Sequence, residues 1–135
     1  MEENILYPLQ LSKKPSREDR TYLDELLEAV EMTDKKNSFP HELSGGQQQR
    51  TAIARVLITR PAVIFADEPT GNLDTKNEDE VLKILQRITD EKRSTLVMVS
   101  HDPAHTRLAK RTVELADGRI IKDETVARRR ILSTA

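Results

Sequence analysis

The sequence predicts an α/β fold whose first part is helical and whose second part is built on a short parallel sheet and a β-hairpin. Three observations carry this. Apolar residues recur at helical spacing before residue 60. Two short apolar runs, Ala62 to Ala66 and Thr95 to Ser100, flank another amphipathic stretch. That is the strand–helix–strand pattern of a right-handed parallel crossover. Finally, Asp117-Gly118 separates two further strand-like runs, which signals a hairpin.

Taken in order, residues 1–15 predict a short helical piece followed by a loop, punctuated by Pro8 and Pro15. Ser16 and Asp19 have the spacing of a capping box. Tyr22, Leu23, Leu26, Leu27 and Val30 then define an amphipathic helix expected to run to about Met32. A polar connector from Asp34 to Leu43 contains Pro40. Ser44 can cap the next helix, about Gly46 to Thr59, which Arg60-Pro61 ends. Ala62 to Ala66 is read as a buried strand closing on Asp67-Glu68. Thr75 can cap a helix reaching about Lys92, with Val81, Ile84, Leu85 and Ile88 on one face. A second buried strand ends at His101. Asp102-Pro103 opens a short helix, and the hairpin joins Val113–Ala116 to Arg119–Ile121. The charged tail follows from Asp123.

Composition narrows the function. Lys plus Arg number 22 against 23 Asp plus Glu, a net charge of −1, so there is no overall positive charge to hold nucleic acid. The absence of cysteine excludes disulfides and Cys-ligated metal sites and fits a reducing compartment. Aromatics are 3%, so the core must be aliphatic. No apolar run approaches the roughly 18 residues that span a bilayer, and the acidic Met1-Glu2-Glu3-Asn4 does not read as a signal peptide. A cytoplasmic location is expected. None of the four glycines begins a GxxxxGK[ST] loop or fits GxGxxG, so the 135 residues carry no Gly-rich phosphate cradle.

Several motifs can carry chemistry. Leu43-Ser44-Gly45-Gly46-Gln47 puts glycines and a serine at a helix start, where free N–H groups and the helix dipole favour an anion. The same residues also make an ordinary capped helix. Asp67 and Glu68 follow a strand of a parallel sheet, the edge where ligands bind. Asp67 suits Mg²⁺ and Glu68 suits activation of a water. A strand followed by a capping acid is the plainer alternative. His101 closes the next strand and could meet a phosphoryl group, although a lone histidine is more often a surface residue. His41 and His105 carry no such pattern. Asn72-Leu73-Asp74 after Pro69-Thr70-Gly71 is, taken alone, a loop.

Together and in this order, these motifs resemble the ATP-binding subunit of ATP-binding cassette (ABC) transporters. The signature motif matches Leu43 to Gln47, the Walker B run Val63 to Glu68, the D-loop Asn72 to Asp74 and the switch histidine His101. The string from Ala66 to Asp74 is most similar to the subgroup of lipoprotein release, macrolide export and antimicrobial-peptide resistance. The resemblance covers about Glu2 to Asp123 and corresponds to the C-terminal portion of a P-loop NTPase domain. It implies a helical subdomain with the signature over 1–60, a partial core over 61–123 and a charged tail over 124–135.

The resemblance implies ATP and Mg²⁺ as cofactors. Ser44, Gly45 and Gly46 would bind the γ-phosphate held by a partner domain, with Gln47 shaping the turn. Asp67 would hold the metal. Glu68 and His101 would be catalytic, and Asp74 would touch the opposite site. Implied partners are a membrane permease and a second ATPase subunit in a head-to-tail dimer. The protein would then sit in the cytoplasm, peripheral to the membrane. The family's Walker A loop, adenine-stacking aromatic and Q-loop glutamine have no match here, so a fragment inactive on its own is expected. The family's Walker A strand lies beside the strand that ends at His101. Without it, an open sheet edge and apolar face are expected, and with them self-association. A non-catalytic regulatory module docking on a permease or on a full ATPase is the alternative. A helical binding module with Arg128-Arg129-Arg130 as a basic tail is a third reading.

Overall fold

The computed structural model of the chain describes residues 1–11, 14–71, 73–92 and 94–125. Local packing divides it between Val99 and Ser100 into two compact units.

The first unit holds helices α1 (Glu2–Gln10), α2 (Arg17–Ala29), α3 (Gly45–Leu57) and α4 (Thr75–Lys92), with strands β1 (Val63–Asp67) and β2 (Thr95–Val99). Pro8 lies inside α1 rather than ending it. It removes only its own N–H from the ladder, close to the helix end. The capping box of α2 forms as expected: Ser16 Oγ accepts from the Asp19 N–H, and the Asp19 carboxylate accepts from the Ser16 N–H. The helix ends earlier than the predicted Met32. Glu31 adopts φ 58°, its N–H donates to the Glu28 carbonyl, and the Met32 N–H donates to the Leu27 carbonyl at 2.7 Å. This is a Schellman closure with glutamate where glycine is usual. Met32 therefore enters the core from beyond the helix, at 1% exposure.

One aliphatic core joins the elements. Ile5, Leu6 and Leu9 of α1 meet Leu23, Leu26 and Leu27 of α2, Ile53 and Leu57 of α3, and Val81, Ile84, Leu85 and Ile88 of α4. A chain almost without aromatics packs in this way because leucine and isoleucine at i, i+3 and i+4 make one continuous stripe per helix. Arg50 of α3 is nearly buried and ion-pairs with Glu31 at 3.2 Å and with Glu80 of α4, so one guanidinium ties α3 to α4 and to the turn after α2.

β1 and β2 pair in parallel, with Phe65 opposite Val97 and Asp67 opposite Val99. The expectation that both strands are buried is corrected. Only one face packs on the core, through Ile64 and the partly buried Leu96. The other presents Val63, Phe65, Val97 and Val99 to solvent, Phe65 at 80% exposure. Continuous apolar runs follow from strands covered on both sides. Among the described residues of this unit, only one cover is present. The open apolar face implied by the resemblance is thus seen.

In the second unit, Asp102 caps a 3₁₀ segment (Pro103–Leu108) by accepting from the Ala104 N–H. Strands β3 (Arg111–Ala116) and β4 (Arg119–Thr125) form the expected antiparallel hairpin. Asp117 and Gly118 both take positive φ, 49° and 72°, as a two-residue primed turn requires. The Arg128–Arg130 tail lies outside the described residues.

Candidate functional site

The glycine turn is built by its own capping. Ser44 Oγ accepts from the Gln47 N–H at 3.3 Å, and Gln47 Oε1 accepts from the Ser44 N–H at 3.0 Å. Gln47 thus shapes the turn by closing a capping box. Gly45 and Gly46 are the first two residues of α3, where N–H groups have no partner within the helix. The two glycines differ in what they need. A Cβ on Gly45 would meet only Leu73 Cδ2 at 4.0 Å, so internal packing does not demand glycine there. The open space suits close approach of a phosphate to the backbone. A Cβ on Gly46 would lie 2.5 Å from Asn77 Oδ1 and 2.9 Å from its Cγ, so glycine is needed there for packing against α4.

Asp67 and Glu68 are both exposed at the carboxyl end of β1. The Glu68 N–H donates to the Val99 carbonyl at 3.0 Å, which carries the pairing one residue beyond the strand. Glu68 itself takes φ 43°, a left-handed conformation that costs energy in a residue with a Cβ. Its carbonyl accepts from Gly71 N–H at 3.1 Å, closing the turn over Pro69 and Thr70. Thr70 is buried and its hydroxyl donates to Glu78 Oε1 at 3.1 Å. A strained backbone at a carboxylate, braced by a turn and a buried hydroxyl, is common where geometry serves function.

Asp74, and not Thr75, caps α4. Its carboxylate accepts from the Asn77 N–H at 2.9 Å and from the Asn77 side-chain amide at 2.6 Å. These two bonds, the backbone one foremost, hold the Asp74 carboxyl below its usual range. Sequence reading missed Asn77, although an Asp three residues before an Asn is a visible capping spacing. Asn72 lies outside the described residues.

The structure therefore brings Ser44, Gly45, Gly46 and Gln47 together on one turn, with Leu73 and Asn77 against it and Asp74 bonded to Asn77. Asp67 ends β1 of the same unit and Glu68 follows it. His101 belongs to the second unit, just after β2, and is exposed. His105 of that unit is buried, with Nδ1 2.7 Å from Ser100 Oγ. Among the described residues, no helix is long and apolar enough to cross a membrane.

The chain is similar to known proteins in sequence and fold. The family profile for the ABC transporter matches residues 1–71. An uncharacterized ABC transporter ATP-binding protein of Methanocaldococcus jannaschii, MJ1508, is 45% identical over 120 residues, which is 89% of this chain and 53% of that protein. The lipoprotein-releasing system ATP-binding protein LolD 1 of Chlorobium chlorochromatii is 40% identical over 124 residues, 90% of this chain and 50% of that protein. Among solved structures, the dimeric cassette MJ0796 superposes with a TM-score of 0.76 at 37% identity, over 93% of this chain and 56% of that one. The same cassette in a post-hydrolysis state bound to ADP and Pi gives the same score. The chain spans about half the length of these relatives. With a family profile over more than half its length, the chain belongs to the ABC transporter family, as a portion of its ATP-binding cassette.

Proposed function

We propose that the chain contributes the signature half of an ATP-hydrolysing site in an ABC transporter of the exporter type. The observation that carries this is the glycine turn. Gly45 has no packing reason to be glycine, and the turn presents N–H groups at a helix start where a phosphate can approach. In this reading residues 1–60 are the signature-bearing helical part and 61–123 a partial catalytic core. Ser44, Gly45 and Gly46 receive the γ-phosphate of ATP held by a facing domain, and Gln47 keeps the turn closed. Asp67 holds Mg²⁺, whose charge neutralises the phosphate oxygens. Glu68 accepts a proton from the attacking water, and His101 orients the phosphoryl end. Asp74 reaches the opposite site. Kinship with LolD supports the exporter assignment, and the dimeric MJ0796 supports a head-to-tail partner. A membrane permease is the further partner, placing the chain at the cytoplasmic side of a membrane.

The phosphate grip of such sites comes mostly from a Gly-rich loop and its lysine, and the 135 residues contain neither pattern. The chain alone is therefore inactive and binds nucleotide weakly. The test is phosphate release by the chain alone and in a mixture with a polypeptide carrying a GxxxxGK loop. The expected result is no turnover alone and turnover in the mixture that Glu68→Gln abolishes. Turnover by the chain alone that Glu68→Gln removes would overturn the inactivity. A calorimetrically verified complex that stays inactive would overturn the site reading.

A further inference from the structure

Two residues around the start of α4 pack against the glycine turn. Leu73 Cδ2 lies 4.0 Å from where a Gly45 Cβ would stand, and the Asn77 side chain occupies the place of a Gly46 Cβ, with Oδ1, Cγ and Cβ at 2.5, 2.9 and 3.3 Å. Asn77 is not free to swing away. Its backbone N–H and its side-chain amide both donate to Asp74, at 2.9 and 2.6 Å. The first helical bond of α4, from Glu78 N–H to the Asp74 carbonyl, fixes the same residue at 2.9 Å. We propose that Asn77 is a positioning residue that links Asp74 to Gly46, so that the Asp74 carboxylate and the glycine turn move together.

The argument is steric and local. With its amide held by Asp74, the Asn77 side chain sits as a wedge against the Gly46 backbone. If a facing chain engages the Asp74 carboxylate, the amide loses its acceptor and the wedge can rotate. The turn at Gly46 then gains room on the α4 side. A contact at Asp74 is in this way transmitted to the turn, a distance of two side chains, without a change in either helix. Its use in catalysis rests on the site reading above, in which Asp74 and the glycine turn both face the site held by the partner domain. The linkage itself involves no ligand.

The test needs none either. The chain has only four glycines, so glycine-selective ¹⁵N labelling yields at most four amide signals, with Gly118 of the hairpin turn as an internal reference. Asp74→Ala does not touch Gly46, yet it is expected to shift the Gly46 signal. In the Asn77→Ala background, Asp74→Ala is expected to leave that signal where it is. Were the Asp74–Asn77 pair only a helix cap, Asp74→Ala would lower the melting temperature without moving Gly46. A Gly46 signal indifferent to Asp74→Ala, or shifts from the two substitutions that simply add, overturns the proposal. Should Asn77→Ala fail to fold, Asn77→Ser, which lacks the amide, takes its place with the same expected outcome. Because no nucleotide is present, failure here leaves the phosphate-release test untouched, and failure there leaves this one standing.

Discussion

Asp74 and Glu68 show how single residues divide between holding the fold and serving a site. The Asp74 carboxyl lies below its ordinary value of 3.8 in the folded chain because Asn77 donates to its charged form. A depressed carboxyl stabilises the fold above its unfolded value and loses that contribution as pH falls through the lower folded value. The melting temperature of the chain should therefore exceed that of Asp74→Ala at neutral pH. The gap should close as the pH is taken below 3.8. A gap constant down to strong acid would show that the carboxylate is not the stabilising group. Glu68 is the converse case. Its φ of 43° suits glycine better than glutamate. Glu68→Gly should raise stability by about 0.5–1 kcal/mol, the left-handed strain relieved less the added chain entropy. The same change removes the proposed general base. Denaturant melts would read the gain, and a loss instead would mean the backbone there is not strained. The strain at Glu68 was not visible as a motif: the sequence places Asp67 and Glu68 after a strand, but only the folded backbone reveals the sign of φ.

At the scale of elements, the helices were legible and their ends less so. Periodicity in Tyr22, Leu23, Leu26 and Leu27 marks α2, and Ser16 with Asp19 marks its start, because both signals are local. Its end was placed near Met32 since the apolar pattern continues through Val30 and Met32. The chain instead reverses at Glu31, whose left-handed φ no glycine announces. Glu31 is also a partner of Arg50, a tertiary contact that local pattern cannot carry. Truncating the core should be costly: Leu26→Ala, at 1% exposure, is expected to destabilise by about 2–5 kcal/mol. Arg50→Ala should cost less, about 1–2 kcal/mol, because Glu31 remains well exposed and water can take over that partner. Urea titrations would rank the two, and the reverse order would mean that the charge bridge outweighs the core.

For the whole molecule, the class of fold and the candidate motifs were readable because they are strings: a glycine pair after a serine, a strand closing on two acids, an Asp-Gly turn. What the strings could not convey was cover. Apolar runs at Ala62–Ala66 and Thr95–Ser100 suggest strands buried on both sides, whereas Val63, Phe65, Val97 and Val99 face solvent. Such a face, beside strand edges that pair with nothing among the described residues, favours association between chains. Sedimentation should show self-association that Phe65→Lys reduces, since a charge in the centre of the face must be desolvated for it to pack. A monomer at all concentrations would count against this. The same face bears on how folding of this chain is followed in the laboratory. Dyes that brighten on apolar surface are commonly used to diagnose loosened, molten states. Here Phe65 and its neighbours offer them a binding surface in the folded chain, so a bright signal before any denaturant is added would be a property of the native structure and not a sign of its failure.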